Sequence, residues 1–259
     1  MMAKFDGKFF TGPMGAVIFK KVNNEQIVCA RLAPGTIKLS EASKKSCDTF
    51  GMVSSFSAAL RHSFAGELMG LQDTAMSGRL VKKVSPIMIQ ARDVQTRAYH
   101  FEKNSFDSLA DFEYNTNSPV MKWLGTKPDV VYEEGKLSIV FPEFNLKRLK
   151  FAKGSSYCQL TVAVTIIRLE DGMQTREPLK QDLRFYADGI DLISNKRFEF
   201  EVPEGCLCVA SLFLKYYGNK LLRNTKKVSP GCICGATLTG GTYIEKQQYK
   251  WQALRVKFK

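Results

Sequence analysis

The chain has 259 residues, of which 44% are hydrophobic and 24% are charged. This length is enough to bury a substantial core in one large domain or two smaller ones, and the composition is that of a globular rather than a disordered protein. No run of about 18 uncharged apolar residues occurs, so the sequence predicts no membrane-spanning helix. The N-terminal segment lacks the unbroken apolar run of a secretory signal, and we therefore expect a cytoplasmic protein.

The net charge of +13 is unevenly distributed along the chain. Residues 1–100 carry 14 Lys/Arg and 7 Asp/Glu, residues 101–204 carry 14 and 17, and residues 205–259 carry 10 and 1. Clustered like charges repel one another unless something anionic neutralises them. The two basic ends therefore favour an anionic partner, either an acidic protein surface or a nucleic acid. The alternative is an ordinary basic protein whose charges are solvated.

A β-hairpin is predicted near the N-terminus. Two runs rich in β-branched residues, 16–19 and 27–30, flank a polar segment that contains Asn23 and Asn24. An isolated hairpin is at best marginally stable in water. We therefore expect it to pack against another part of this chain or against another chain.

Residues 37–84 change to a helical period. Ser40 is the predicted N-cap of the first helix, Asp73 caps a second short helix over 73–84, and Pro86 is expected to close the region. The side chains that recur at three- and four-residue steps on the predicted buried face are Phe50, Val53, Ser57, Leu60, Phe64 and Leu68.

The rest of the chain has the pattern of short strands separated by glycine-containing turns. Such strands favour an antiparallel sandwich or barrel, and the alternation in 159–167 indicates one buried and one solvated face. We predict a mainly β fold of the α+β class, with a helical N-terminal part at 1–90 and a β-sandwich-like domain at 91–259. The predicted strands are 86–91, 98–102, 110–115, 129–133, 136–144, 156–169, 181–187, 196–202, 206–217, 234–245 and 249–258.

Several segments resemble a known family. They are the opening FDGKFFTGPMGAVIFKK, the VCARLAP that follows, the segment SEASKKSCDTFGMVSSF and the β-rich second half. Together they resemble an uncharacterised family of proteins from Bacteroidota. The resemblance covers the order of elements over most of the chain and implies a similar architecture. It implies no activity, because that family has none assigned, so no residue inherits a role from it.

Four of the seven cysteines form two Cys-x-Cys pairs, Cys206 with Cys208 and Cys232 with Cys234. The odd number of cysteines and the missing secretory signal indicate reduced thiols. If the chain folds back about residue 220, the two pairs face each other, and four thiolates suit zinc. Structural zinc sites usually space their cysteines more widely, and free cysteines commonly fill cores. We therefore predict core packing, keep a zinc site as the alternative, and expect no cofactor.

No catalytic constellation is recognisable in the sequence. The two histidines, His62 and His100, have no nearby serine or cysteine in a nucleophile turn, and Walker, Rossmann, HExxH and EF-hand motifs are absent. We therefore predict a protein without enzymatic activity.

The segment 215–227 interleaves aromatic and basic side chains. Aromatic faces stack on bases and cations neutralise phosphates, so this segment is a candidate surface for nucleic acid or for an acidic partner. The alternative is a solvated hairpin tip. The candidate residues are Lys215, Tyr216, Tyr217, Lys220, Arg223, Lys226 and Lys227.

These observations lead to three hypotheses about function. The first is a non-catalytic structural or assembly protein that binds copies of itself or an acidic protein, for example in a phage-like or mobile-element particle. The second is a nucleic-acid-binding module that uses the basic C-terminal region. The third is a zinc-stabilised binding module.

Overall fold

The computed structural model describes residues 3–33, 40–68, 72–187, 192–193, 196–218, 230–244, 249–254 and 258. The chain forms two compact units, Met1–Asp48 and Thr49–Lys259. The sequence predicts a division near residue 90, but the structure divides the chain near residue 48. The physical reason is that the helical residues after 49 share one hydrophobic core with the C-terminal sheet.

The described residues form four α-helices and sixteen strands. The helices are α1 (Glu41–Ser63), α2 (Ala65–Leu68), α3 (Met76–Ala91) and α4 (Val120–Leu124). The strands before the first helix are β1 (Lys4–Phe5), β2 (Phe10–Met14), β3 (Val17–Val22) and β4 (Glu25–Ala30). The strands after it are β5 (Phe112–Glu113), β6 (Asp129–Glu133), β7 (Lys136–Val140), β8 (Phe144–Asn145), β9 (Tyr157–Arg168), β10 (Met173–Thr175), β11 (Leu179–Tyr186), β12 (Leu192–Ile193), β13 (Arg197–Glu201), β14 (Leu207–Tyr217), β15 (Gly231–Leu238) and β16 (Trp251–Ala253).

The first unit contains an antiparallel meander in the order β1-β2-β3-β4. Its last two strands pair Val22 with Glu25, which leaves Asn23 and Asn24 as a two-residue turn. Both asparagines have positive φ, 49° and 67°. A two-residue loop with positive φ at both positions matches the right-handed twist of a hairpin, and asparagine tolerates this conformation well. The predicted hairpin is therefore confirmed.

The second unit is a sandwich of two antiparallel sheets with helices on one outer face. The larger sheet has seven strands, built around the long pair β9 and β14, and the smaller sheet has the order β13-β7-β6. One hydrophobic cluster fills the space between the two sheets, and a second lies between the larger sheet and helices α1 and α3. The mainly β fold with a helical part and a C-terminal sandwich is confirmed.

The central strand β9 is buried on both faces. Val162 and Val164 belong to the cluster between the sheets, whereas Ala163 and Ile167 belong to the cluster under the helices. The prediction of one solvated face over 159–167 is therefore wrong. The alternation is real, but the helical layer covers the face that the sequence assigns to solvent.

The helices also differ from their predicted form. Ser40 caps α1 as predicted, since its Oγ accepts a hydrogen bond from Ser43 N at 3.1 Å. The buried face of α1 includes Phe56, fully buried, whereas Phe50 is 63% exposed. Helix α3 runs through Pro86 to residue 91, so the predicted strand at 86–91 is wrong. Apolar side chains on both sides of this proline are buried, and their packing offsets the missing backbone hydrogen bond.

Candidate functional site

One face of the N-terminal meander carries a group of apolar side chains, with Lys21 and Gln26 at its end. Alternate residues of a strand lie on the same face, and the pairs Phe5 with Phe10 and Phe19 with Val28 fix which residues share it. The rings of Phe5 and Phe10 are 4.7 Å apart, and those of Phe10 and Phe19 are 5.6 Å apart. We call this surface the meander face; it consists of Phe5, Phe10, Met14, Val17, Phe19 and Val28.

Side chains of the meander face are exposed. Phe5 is 57% exposed and Val28 is 53% exposed. Among the described residues 3–33, Phe9 alone is buried, and Lys21 Nζ lies 4.5 Å from the centre of its ring. A four-stranded sheet without a packed core would be stabilised by contacts with another molecule.

The sequence-predicted segment 215–227 is only partly described, and its described residues have different environments. The Lys215 side chain is 11% exposed, and its Nζ lies 2.5 Å from Glu67 Oε2. The opposite oxygen of Glu67 binds Lys180 at 2.5 Å. Burial raises the pKa of Glu67, but hydrogen bonds from the two lysines outweigh burial and bring the pKa below its usual value. The charge of Lys215 is therefore neutralised within the protein.

The two predicted tyrosines lie on opposite faces of the sheet. Tyr216 is buried between the two sheets, with its ring 5.6 Å from that of Trp123. Tyr217 lies on the other face and stacks on Tyr157. The remaining predicted residues, Lys220, Arg223, Lys226 and Lys227, lie outside the described residues.

Sequence reasoning missed a row of tyrosines across three neighbouring strands. Tyr157 begins β9, and it pairs with Tyr186 at the end of β11 and with Tyr217 at the end of β14. Arg184 lies two residues before Tyr186, and its guanidinium carbon is 5.6 Å from the centre of the Tyr157 ring. The signal in the sequence is a tyrosine at one end of each of three predicted strands, but only the pairing register brings them together.

The cysteine pairs do not face each other as the zinc hypothesis requires. Cys208 pairs with Thr237, and Cys232 pairs with Leu212. The two pairs are therefore offset by about four residues, or roughly 13 Å at the rise of a strand. A bulge between Ala210 and Ser211 shifts the register by one residue and does not restore the predicted pairing.

All four of these thiols are in the core between the two sheets. Burial raises the pKa of Cys206 and of Cys234 to about 12, and it also raises the pKa values of Cys208 and Cys232. Within the described part of the chain, no group of three or more His, Cys, Asp or Glu side chains is placed to hold a metal ion. In this environment the thiols act as small apolar side chains.

The two histidines are separated in the structure. His62 is exposed on the last turn of α1. His100 is also exposed and lines a polar cleft of about 490 Å³ together with Gln90, Glu102 and Ser108. One imidazole and one carboxylate are among the side chains that line this cleft.

None of the helices in the described residues is both long and apolar enough to cross a bilayer. No family model, no curated protein and no solved structure matches this chain, so its resemblance to a Bacteroidota family stays a prediction.

Proposed function

We propose that this protein is a non-catalytic structural subunit that assembles through its meander face. The observation that carries the proposal is the exposure of large apolar side chains on one side of a small sheet. Phe5, Met14 and Val28 are each about half exposed. Such a contiguous apolar surface is typical of protein interfaces.

Burial of the meander face would supply substantial binding energy. Complete burial of one large apolar side chain contributes about 1.5–3 kcal/mol. The six side chains of the face are already partly covered, so docking would contribute several kcal/mol in total. This contribution must exceed the loss of rotational and translational freedom on association, which requires further contacts at the rim.

Charge supplies a counterpart for such rim contacts. The meander carries exposed lysines, and one end of the smaller sheet in the second unit carries exposed glutamates on both outer strands, together with Lys136 and with Arg197, which pairs with Glu199. We therefore favour head-to-tail association, in which the meander of one copy contacts the glutamate-rich end of this sheet in another. The lysines are Lys4, Lys8, Lys20 and Lys21, and the glutamates are Glu133, Glu134, Glu199, Glu201 and Glu204.

Head-to-tail contacts that do not close into a ring generate extended assemblies, which suits a component of a phage-like or mobile-element particle. We propose assembly in the cytoplasm, because all seven cysteines are unpaired and Cys47 is exposed. An acidic protein other than a second copy is the other partner that the charge pattern fits.

The test compares matched pairs of substitutions on the two faces of the meander. Phe10→Ser with Val28→Ser alters the meander face, whereas Val22→Ser with Ile27→Ser alters exposed apolar residues of the opposite face. Light scattering after size-exclusion chromatography should show multimers for the wild-type protein and for the opposite-face variant. The meander-face variant should be monomeric.

Ionic strength provides a second test, because charge pairs at a rim are screened by salt. We expect the average mass to fall as the salt concentration rises from low to high. A wild-type protein that remains monomeric at high protein concentration and low salt would contradict self-assembly. Equal masses for the two paired variants would contradict the assignment of the face.

A further inference from the structure

The tyrosine row lies at one end of the larger sheet, on the face that carries the helices elsewhere. Lys180 and Lys215 contact Glu67 of α2, and Tyr217 lies two residues beyond Lys215 on the same face. Backbone hydrogen bonds extend past the strand ends: Ser156 N donates to Tyr217 O at 2.7 Å, and Ala187 N donates to Ser156 O at 3.0 Å. The three tyrosines are therefore held in register by a continuous ladder.

Two of the three rings are stacked, and the third lies tilted beside them. Tyr157 and Tyr217 are nearly parallel, with an interplanar angle of 5° and centroids 4.8 Å apart. Tyr186 lies on the other side of Tyr157 at 5.9 Å, with an interplanar angle of 44°, and is 56% exposed. Among the described residues, β11 pairs with β9 alone, so Tyr186 lies at the edge of the sheet. The exposed ring of Tyr186 can stack on another planar group.

An arginine lies beside the rings. Arg184 is exposed and forms no ion pair with any described residue, and its guanidinium lies against the Tyr157 ring. Asp182, which lies on the same face of β11 as Arg184, accepts a hydrogen bond from Thr161 Oγ1 at 2.6 Å. Lys153, four residues before Tyr157 in the sequence, is also exposed.

We propose that the tyrosine row binds single-stranded nucleic acid. Tyr186 would stack on a base, and Arg184 would contact a phosphate. Aromatic rings on a sheet beside a cation bind single strands with little sequence preference, because every base has a planar face. The bases of a duplex are not available for such stacking, and a neutral ligand would not need Arg184.

The assay is the fluorescence anisotropy of labelled oligonucleotides, titrated with the full chain at low and moderate salt. The probes are a dodecamer of thymidylate, a dodecamer of uridylate and a duplex of equal length. Either single strand should bind more tightly than the duplex, and the affinity should fall steeply with salt. Binding of single strands does not depend on self-assembly, and light scattering measures self-assembly separately.

Tyr186→Ala should weaken single-strand binding roughly five- to hundredfold, and Tyr186→Phe, which keeps the ring, should restore it. Arg184→Ala should lower the slope of log affinity against log salt by about one. Matched controls are Phe50→Ala, which removes an exposed ring elsewhere, and Arg176→Ala, which removes another exposed arginine. Circular dichroism checks that each variant is folded. If Tyr186→Ala does not fold, Arg184→Ala still tests the site. Failure of the wild-type protein to bind either single strand, tighter binding of the duplex, or equal losses in the controls would overturn the proposal.

Discussion

The ion-pair cluster at Glu67 allows a quantitative test of what Lys215 does. The sequence makes Lys215 a candidate binding residue, whereas the structure makes it a buried partner of Glu67. Both side chains are about one-tenth exposed, at 11% and 7%, whereas Lys180 is 43% exposed. Removing one partner of a buried pair costs about 3–5 kcal/mol, and an exposed pair is worth roughly 1 kcal/mol or less.

Glu67→Gln leaves the Lys215 ammonium buried without a counter-charge. We expect the free energy of unfolding to fall by about 3 kcal/mol. Lys215→Met should cost less, about 1–2 kcal/mol, because the carboxylate keeps Lys180 and one salt bridge is replaced by apolar packing. Lys180→Met should cost about 1 kcal/mol or less. Urea denaturation followed by circular dichroism measures all three values.

The pH dependence of stability is an independent test of the contribution of Glu67. The pKa of Glu67 is lowered in the folded protein. Its stabilisation is therefore complete above its unfolded pKa of about 4.3 and is lost as the pH falls through the folded pKa. The difference between wild type and Glu67→Gln should shrink below about pH 4. A Glu67→Gln variant as stable as wild type at pH 7, or a larger loss for Lys180→Met than for Lys215→Met, would refute the reasoning.

Two further predictions concern the core. Burial raises the pKa of Glu113 to about 7, and Asp111 adds to the effect, whereas a hydrogen bond from Val120 N lowers the pKa. Between about pH 4.5 and 7 the carboxyl group of Glu113 is therefore protonated in the folded protein and ionised in the unfolded chain. The free energy of unfolding should fall as the pH rises through this range. Glu113→Gln should flatten this fall and stabilise the protein at pH 8 by up to about 3 kcal/mol. Urea titration at both ends of the pH range measures the change. A pH profile of stability that is the same as that of the wild-type protein would contradict the prediction. Gly235→Ala would place a Cβ 2.8 Å from Val130 Cγ2, between the two sheets, and should cost about 1–3 kcal/mol by the same measurement. The control Gly240→Ala meets nothing within 4 Å and should change stability by less than about 0.5 kcal/mol; equal losses for the two alanines would show that the sheets do not pack this closely.

Several elements could be predicted because their signals are local. The Asn23–Asn24 turn follows from the few residues that accept positive φ, and the Ser40 cap follows from the unpaired N–H groups that begin a helix. Other features depend on distant contacts. Helix α3 continues through Pro86 because its apolar side chains on both sides of the proline find a core, and no local rule predicts that outcome.

The two candidate sites also differ in whether local sequence signals predict them. The hairpin of the last two meander strands could be predicted from its β-branched runs and Asn-Asn turn, but the first two strands and the shared apolar face come from the pairing register. The tyrosine row is not, because Tyr157, Tyr186 and Tyr217 are as much as 60 residues apart and meet only through strand pairing.

By itself, the sequence determined a mainly β chain with helices near its start, an Asn-Asn hairpin and cysteines suited to a core, since residue type and period report on short-range geometry. The tertiary structure alone decided that Lys215 pairs with Glu67, that the Cys-x-Cys pairs are offset, and that three tyrosines lie side by side. The physical reason is register: a shift of one or two residues in the pairing of strands changes every cross-strand neighbour while leaving the pattern of each strand unchanged.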